Sequence, residues 1–291
     1  MPQNTDQYYV PEQTFWPIVG SIGLCVTVLG IVNWIHEHRF GPYLFLTGAL
    51  ILSLMMFGWF SLVIQESRKG LYSAQMDRSF RWGMVWFIFS EVMFFGAFFG
   101  VLFYVREYSV PWLGGEGSKH ATHTLLWDNF KAAWPLLVNP DPTKYPSPNG
   151  IIPAFGIPAL NTLILLTSGA TVTWAHHALK SNHRFQLVLG LLATVLLGAT
   201  FLGFQAYEYH HAYTEMNLKL SSGIYGTTFF MLTGFHGAHV TIGTIMLTII
   251  LFRCLKGHFT PENHFGFEAT AWYWHFVDVV WLCLFIFVYW L

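Results

Sequence analysis

Long apolar runs separated by short polar breaks dominate the chain. Seven runs stand out: Phe15–Trp34, Tyr43–Ile64, Trp82–Val105, Pro158–Ala175, Phe185–Tyr207, Gly223–Phe252 and Ala269–Leu291. A helix needs roughly 20 mostly apolar residues to cross a hydrocarbon core about 30 Å thick, and each run reaches or approaches that length. The third run contains one charge, Glu91, the seventh contains one, Asp278, and the others contain none. The fourth run is short but extends back through Ile151–Phe155. The sixth is long for one crossing, which predicts a tilt or an end outside the core. A transmembrane barrel would instead show alternating segments of ~10 residues, and none is visible. Helices satisfy every backbone polar group inside lipid. The pattern therefore predicts an all-α polytopic membrane protein with seven transmembrane helices, residues 1–291 forming a single membrane domain.

Composition narrows the function classes. Charged residues make up 10% of the 291, against about 25% in an average soluble domain. Hydrophobic residues make up 54%, aromatics 19%, and the mean hydropathy is +0.46. That excludes a disordered chain, which needs much charge and few aromatics. A net charge of −1 provides no basic excess, so no nucleic-acid partner is expected. Cys25, Cys254 and Cys283 all fall in apolar runs and read as small hydrophobes. Residues 1–14 hold no Lys or Arg, so no signal-peptide pattern precedes the first run.

Basic residues orient the spans. With the N-terminus inside, the inner connections carry Arg68, Lys69, Arg78, Arg81, Lys180, Arg184, Arg253 and Lys256. The outer ones carry Arg39, Arg106, Lys119, Lys131, Lys144 and Lys219, half of them in one long loop. The expected topology places the N-terminus in the cytoplasm and the C-terminus outside. Residues 107–150 form that outer loop. They are rich in Gly, Pro and polar side chains, a composition that cannot make regular helix throughout.

Few residues offer chemistry. Glu91 lies near the middle of the third span, and an intramembrane carboxyl costs several kcal/mol unless neutralised or partnered. Burial favours its neutral form. It reads either as a proton-relay or lipid-contacting carboxyl, or as a neutral acid hydrogen-bonded to a neighbouring helix. Asp278 has His275 three residues before it, on the same helical face, and a structural pair is the better reading. Glu208 and Glu268 sit at span ends and are expected at the interface. His236 and His239 are three residues apart among Gly234, Gly237, Thr241 and Gly243. That setting fits close helix packing with interhelical hydrogen bonds. Two ligands leave a structural metal site incomplete, so no metal is expected there. Arg253, Lys256 and His258 follow the sixth span, and juxtamembrane cations attract anionic headgroups. Two other classes stay open at this point. One is a transporter using Glu91 and Asp278 as coupling-ion sites, although inverted repeats are not apparent. The other is a haem- or quinone-binding enzyme using the histidines.

Several segments together resemble subunit III of cytochrome c oxidase, in the haem–copper oxidase superfamily. They are Arg81–Met84 leading into Phe89–Phe95, then Thr173–His177, Tyr225–Phe230 through Gly234–Val240, and His264–Ala269 through Trp272–Trp281. The likeness covers roughly residues 15–106 and 151–291. It implies a two-helix part, residues 15–65, and a five-helix part, residues 82–291, around a V-shaped lipid-filled cleft. It implies no haem or copper in this chain and no catalytic residue. Those metals belong to partner subunits I and II, with subunit I in direct contact and cytochrome c donating to the complex rather than to this chain. Family members support proton uptake, bind phospholipid and protect the oxidase during turnover. Glu91 matches the buried carbodiimide-reactive carboxyl, while Trp59, Glu66, Arg253, Lys256 and His258 match lipid-contacting positions. The resemblance assigns His236 and His239 to packing. Where many members carry a His pair after the second span, this chain has Tyr72 and Ser73. The long 107–150 loop favours a bacterial source and thus the bacterial inner membrane.

Overall fold

The computed structural model describes residues 9–10 and 12–291. Among them, seven helices are long and apolar enough to cross a membrane, and no strand is present. These are α1 (Trp16–Ile35), α2 (Gly41–Arg68), α3 (Ala74–Tyr104), α6 (Ile157–Lys180), α7 (Arg184–Thr214), α8 (Ile224–Leu255) and α9 (Phe265–Leu284). The short helices α4 (Val110–Leu113) and α5 (His120–Leu126) lie in the connection after α3. Wider π turns continue α3 over Val105–Ser109 and α9 over Phe285–Trp290. All three cysteines are free.

The helices overrun the apolar runs at their polar ends. α3 begins eight positions before Trp82. The Ser73 hydroxyl accepts from the Met76 amide at 3.4 Å, and Arg81 pairs with Asp77 one turn back at 2.8 Å. Local capping and an i,i+4 ion pair thus carry the helix into polar sequence. α7 likewise continues past Tyr207 to Thr214, where His211 meets Glu215 at 3.2 Å.

Two compact units make up the chain, residues 1–82 and 83–291, with the boundary inside α3. In the first, α1 and α2 run antiparallel in close contact. Their buried residues are Gly23 and Gly30 on α1, and Gly41, Gly48 and Met55 on α2. Each glycine pair is seven residues apart, about two turns, and so shares one face. A Cβ on Gly30 would strike the Phe45 backbone, one on Gly41 the Trp34 backbone, and one on Gly48 the Thr27 backbone. Lipid provides no hydrophobic drive between helices, so such backbone approach is what holds them. Ile22, Leu29, Leu46 and Leu54 are exposed on the outer faces, as lipid-facing side chains are.

In the second unit, α6 to α9 enclose an aromatic core. Trp274 and Trp281 are fully buried. Trp274 Nε1 donates to Ser168 Oγ, and Trp281 Nε1 to Thr162 Oγ1, both at 2.9 Å. These two bonds tie α9 to α6. Gly198 and Gly243 leave room for the Trp274 ring.

Beyond α5 the loop is irregular, yet it is anchored. Asn139 is buried, and its Nδ2 donates to Tyr145 O at 3.0 Å and to Ser222 O at 3.2 Å. The Asn149 amide donates to Met216 O at 2.8 Å, and Asn217 Nδ2 to Ser147 O at 3.1 Å. The loop is thereby fastened to the α7–α8 connection. Gly223, at φ +86°, stands against Asn139 where a Cβ would collide with the amide. Thr143 donates to Asp141 through its hydroxyl, and its amide adds a second bond. The Thr143 hydroxyl above all holds the Asp141 carboxyl below the usual range.

Gly30→Leu should force α1 and α2 apart, whereas Leu29→Ala, at a half-exposed position, should be tolerated. Overpacking typically costs 1–3 kcal/mol. Thermal unfolding of the detergent-solubilised protein should show a clear loss for the first variant and little change for the second.

Candidate functional site

α3 and α8 carry the only intramembrane acid of the third span and its partner. Glu91 Oε2 lies 2.9 Å from His239 Nε2. The Glu91 and His239 side chains are 22% and 15% exposed, respectively. The ring is wedged among Phe94, Phe95 and Tyr273, with centroids 6.0, 5.1 and 6.3 Å away. His239 Nδ1 faces Phe235 O at 2.7 Å. A carbonyl oxygen only accepts, so Nδ1 must hold a hydrogen. In a neutral imidazole Nε2 is then an acceptor. The bond to Glu91 consequently contains one proton, on the acid facing neutral imidazole or on imidazolium facing carboxylate. Both arrangements are neutral overall, which removes the cost of a lone charge in hydrocarbon.

His236, three residues earlier, is oriented differently. It is 1% exposed and packs against Trp281 and Phe201, with ring centroids 5.2 and 5.9 Å away. Neither of its nitrogens has a hydrogen-bond partner. His239 thus bonds to α3, whereas His236 packs into the aromatic core.

On α9, His275 Nδ1 stands 3.8 Å from Asp278 Oδ2, a long contact. The shorter link of His275 reaches α6, where Nε2 meets Thr173 Oγ1 at 3.2 Å. Asp278 is buried, and Gly169 on α6 leaves space for its carboxyl. Glu208, near the end of α7, is enclosed by protein. It is 2% exposed, accepting from the Tyr289 hydroxyl at 2.7 Å and from Gln205 Nε2 at 3.2 Å. Tyr289, in the final π turn, supplies the partner that encloses it.

The expected lipid-contacting residues fall in two places. In the first unit, Trp59 is exposed. Glu66 accepts from Tyr72 at 2.8 Å and from Tyr9 at 3.3 Å. Burial, and then the bond to Glu66, raise the Tyr72 hydroxyl above its ordinary value, so it remains a donor. In the second unit, the Arg253 guanidinium lies 4.3 Å from the Phe259 ring centroid. Gly257, at φ +71°, lets the chain turn beside the Arg184 guanidinium. Lys256 is exposed and His258 half-buried.

Glu91→Gln should preserve the interhelical bond, since an amide N–H can donate to Nε2. His239→Ala should leave the Glu91 carboxyl without that partner and destabilise by about 1–3 kcal/mol. Melting temperatures should follow the order wild type, Glu91→Gln, His239→Ala, and an undiminished His239→Ala protein would refute the assignment.

The family model described as "Cytochrome c oxidase subunit III" matches residues 6–119 and 121–291. Three relatives carry the name "Cytochrome c oxidase subunit 3". The one from Pongo abelii is 41% identical over 293 residues, covering 100% of this chain and 99% of the relative. The one from Drosophila melanogaster is 43% identical over 286 residues, covering 97% and 96%. The one from Marchantia polymorpha is 42% identical over 284 residues, again covering 97% and 96%. With this match along nearly the whole chain and seven membrane-length helices, the protein belongs to the cytochrome c oxidase subunit III family, a component of the terminal respiratory oxidase.

Proposed function

We propose that the chain serves its oxidase as a non-catalytic subunit that supports proton uptake, holds phospholipid and preserves activity during turnover. In this reading the haem and copper that reduce oxygen to water reside in partner subunits I and II. Subunit I is the direct neighbour, and cytochrome c delivers electrons to the complex elsewhere. The complex couples this chemistry to proton pumping. The observation that carries the reading is the 2.9 Å contact between Glu91 Oε2 and His239 Nε2, which the bond of Nδ1 to Phe235 O leaves with one proton to share. A carboxyl that shares a proton inside a span can exchange it without stranding a charge. Its protonated form is also the one a hydrophobic carbodiimide attacks.

Two places suit phospholipid. Arg253, Lys256 and His258 follow α8, with Arg184 beside Gly257. Cations at such a position attract an anionic headgroup at about 1 kcal/mol each. Trp59 and Glu66 offer an aromatic side chain and an acceptor near the end of α2. The excess of basic residues on one set of connections supports a cytoplasmic N-terminus and a periplasmic C-terminus. The long 107–150 loop supports a bacterial inner membrane.

In the assembled complex, Glu91→Ala should abolish carbodiimide labelling of this chain and leave oxygen reduction largely intact. Complete loss of activity in a fully assembled complex would overturn the non-catalytic reading. Native mass spectrometry of an Arg253→Ala/Lys256→Ala complex should show loss of retained anionic lipid, and an unchanged lipid count would remove that site.

A further inference from the structure

Three ligating side chains converge where α6 ends and α9 begins. His176 lies one turn before Lys180, the last residue of α6. His264 immediately precedes α9, and Glu268 is in its first turn. The ligand atoms of all three lie within 4.8 Å of one another. The imidazole centroids are 5.4 Å apart with the rings inclined at 63°.

Packing alone would account for two rings in contact, and His176 does also touch Phe267 at 5.3 Å between centroids. It does not account for the nitrogens. His176 Nε2 and His264 Nδ1 are both buried, and neither has a hydrogen-bond partner. A buried polar atom without a partner costs about 1–3 kcal/mol. Native structures rarely leave two such atoms on rings in contact near a carboxylate unless something joins them.

Two imidazoles and one carboxylate are a donor set suited to zinc, with a fourth position left for water. Magnesium and calcium prefer an all-oxygen shell. The C-terminal end of α6 carries the negative pole of its helix, which favours a cation there. Lys180 is exposed, so water screens its opposing charge. We propose that His176, His264 and Glu268 form a binding site for a divalent transition-metal ion of the zinc class, tying the end of α6 to the start of α9. Ligand atoms around tetrahedral zinc stand about 3.3 Å apart, so binding draws the three side chains together by rotation about their own bonds. The site is separate in sequence from the Glu91–His239 pair and uses none of its residues.

The test uses the assembled oxidase, washed with chelator and then titrated with zinc chloride. Zinc per complex is counted for wild type, for His176→Ala/His264→Ala and for Glu268→Gln. Wild type should hold one more zinc per chain than the double variant, and Glu268→Gln should bind it more weakly. Crystals of the wild-type complex soaked in zinc should show anomalous density between the three side chains, a result that stands even if the double variant fails to assemble. Equal zinc counts in wild type and double variant, or no density there at saturating zinc, would overturn the proposal.

Discussion

Hydrocarbon offers no partner to a backbone amide or carbonyl, and everything else in this molecule follows from that constraint. It converts seven apolar runs into seven helices. It also withdraws the usual drive for helix association, since lipid is as apolar as the side chains. The helices are held instead by close approach and by hydrogen bonds. Gly30 and Gly48 bring the backbones of α1 and α2 together. Ser168 and Thr162 receive the indole N–H groups of α9.

The same constraint decides where a charge can stand. Glu91 is tolerated because His239, held in one tautomer by Phe235 O, completes a one-proton bond with it. Glu208 is tolerated because Tyr289 and Gln205 donate to it. These acids are related by physics and separated by setting. Glu91 keeps about a fifth of its side chain accessible, whereas Glu208 is closed inside the core. An acid that exchanges a proton needs the first kind of setting, while an acid that fixes helices together suits the second.

Much of the fold was legible in the sequence, because span length and apolarity are local properties. The ends were less so. α3 extends through Asp77 and Arg81 on the strength of a cap and an ion pair that hydropathy does not register. The seven-residue spacing of Gly23 with Gly30 and of Gly41 with Gly48 was a readable packing signal that hydropathy passes over. The site was legible only in part. Glu91 and His239 each drew attention, but they lie 148 positions apart, and one sequence does not state which helices are neighbours. The interhelical bond expected of His239 and His236 exists only for His239, and spacing alone does not tell which of the two makes it. The enclosure of Glu208 was not legible, because its partner, Tyr289, lies in the last turn of the chain. The convergence of His176, His264 and Glu268 was not legible for the same reason, since adjacency of α6 and α9 is tertiary information.

The central claim is that this chain supports an oxidase whose redox centres lie in other subunits. Gentle solubilisation followed by capture on a tag at this chain measures it most directly. Metal and haem are then assayed before and after the chain is stripped from its partners. The predicted result is that haem and copper co-purify with the intact complex and remain with the partner subunits after separation, leaving the isolated chain without a visible spectrum. Stoichiometric haem or copper on the isolated chain would contradict the account.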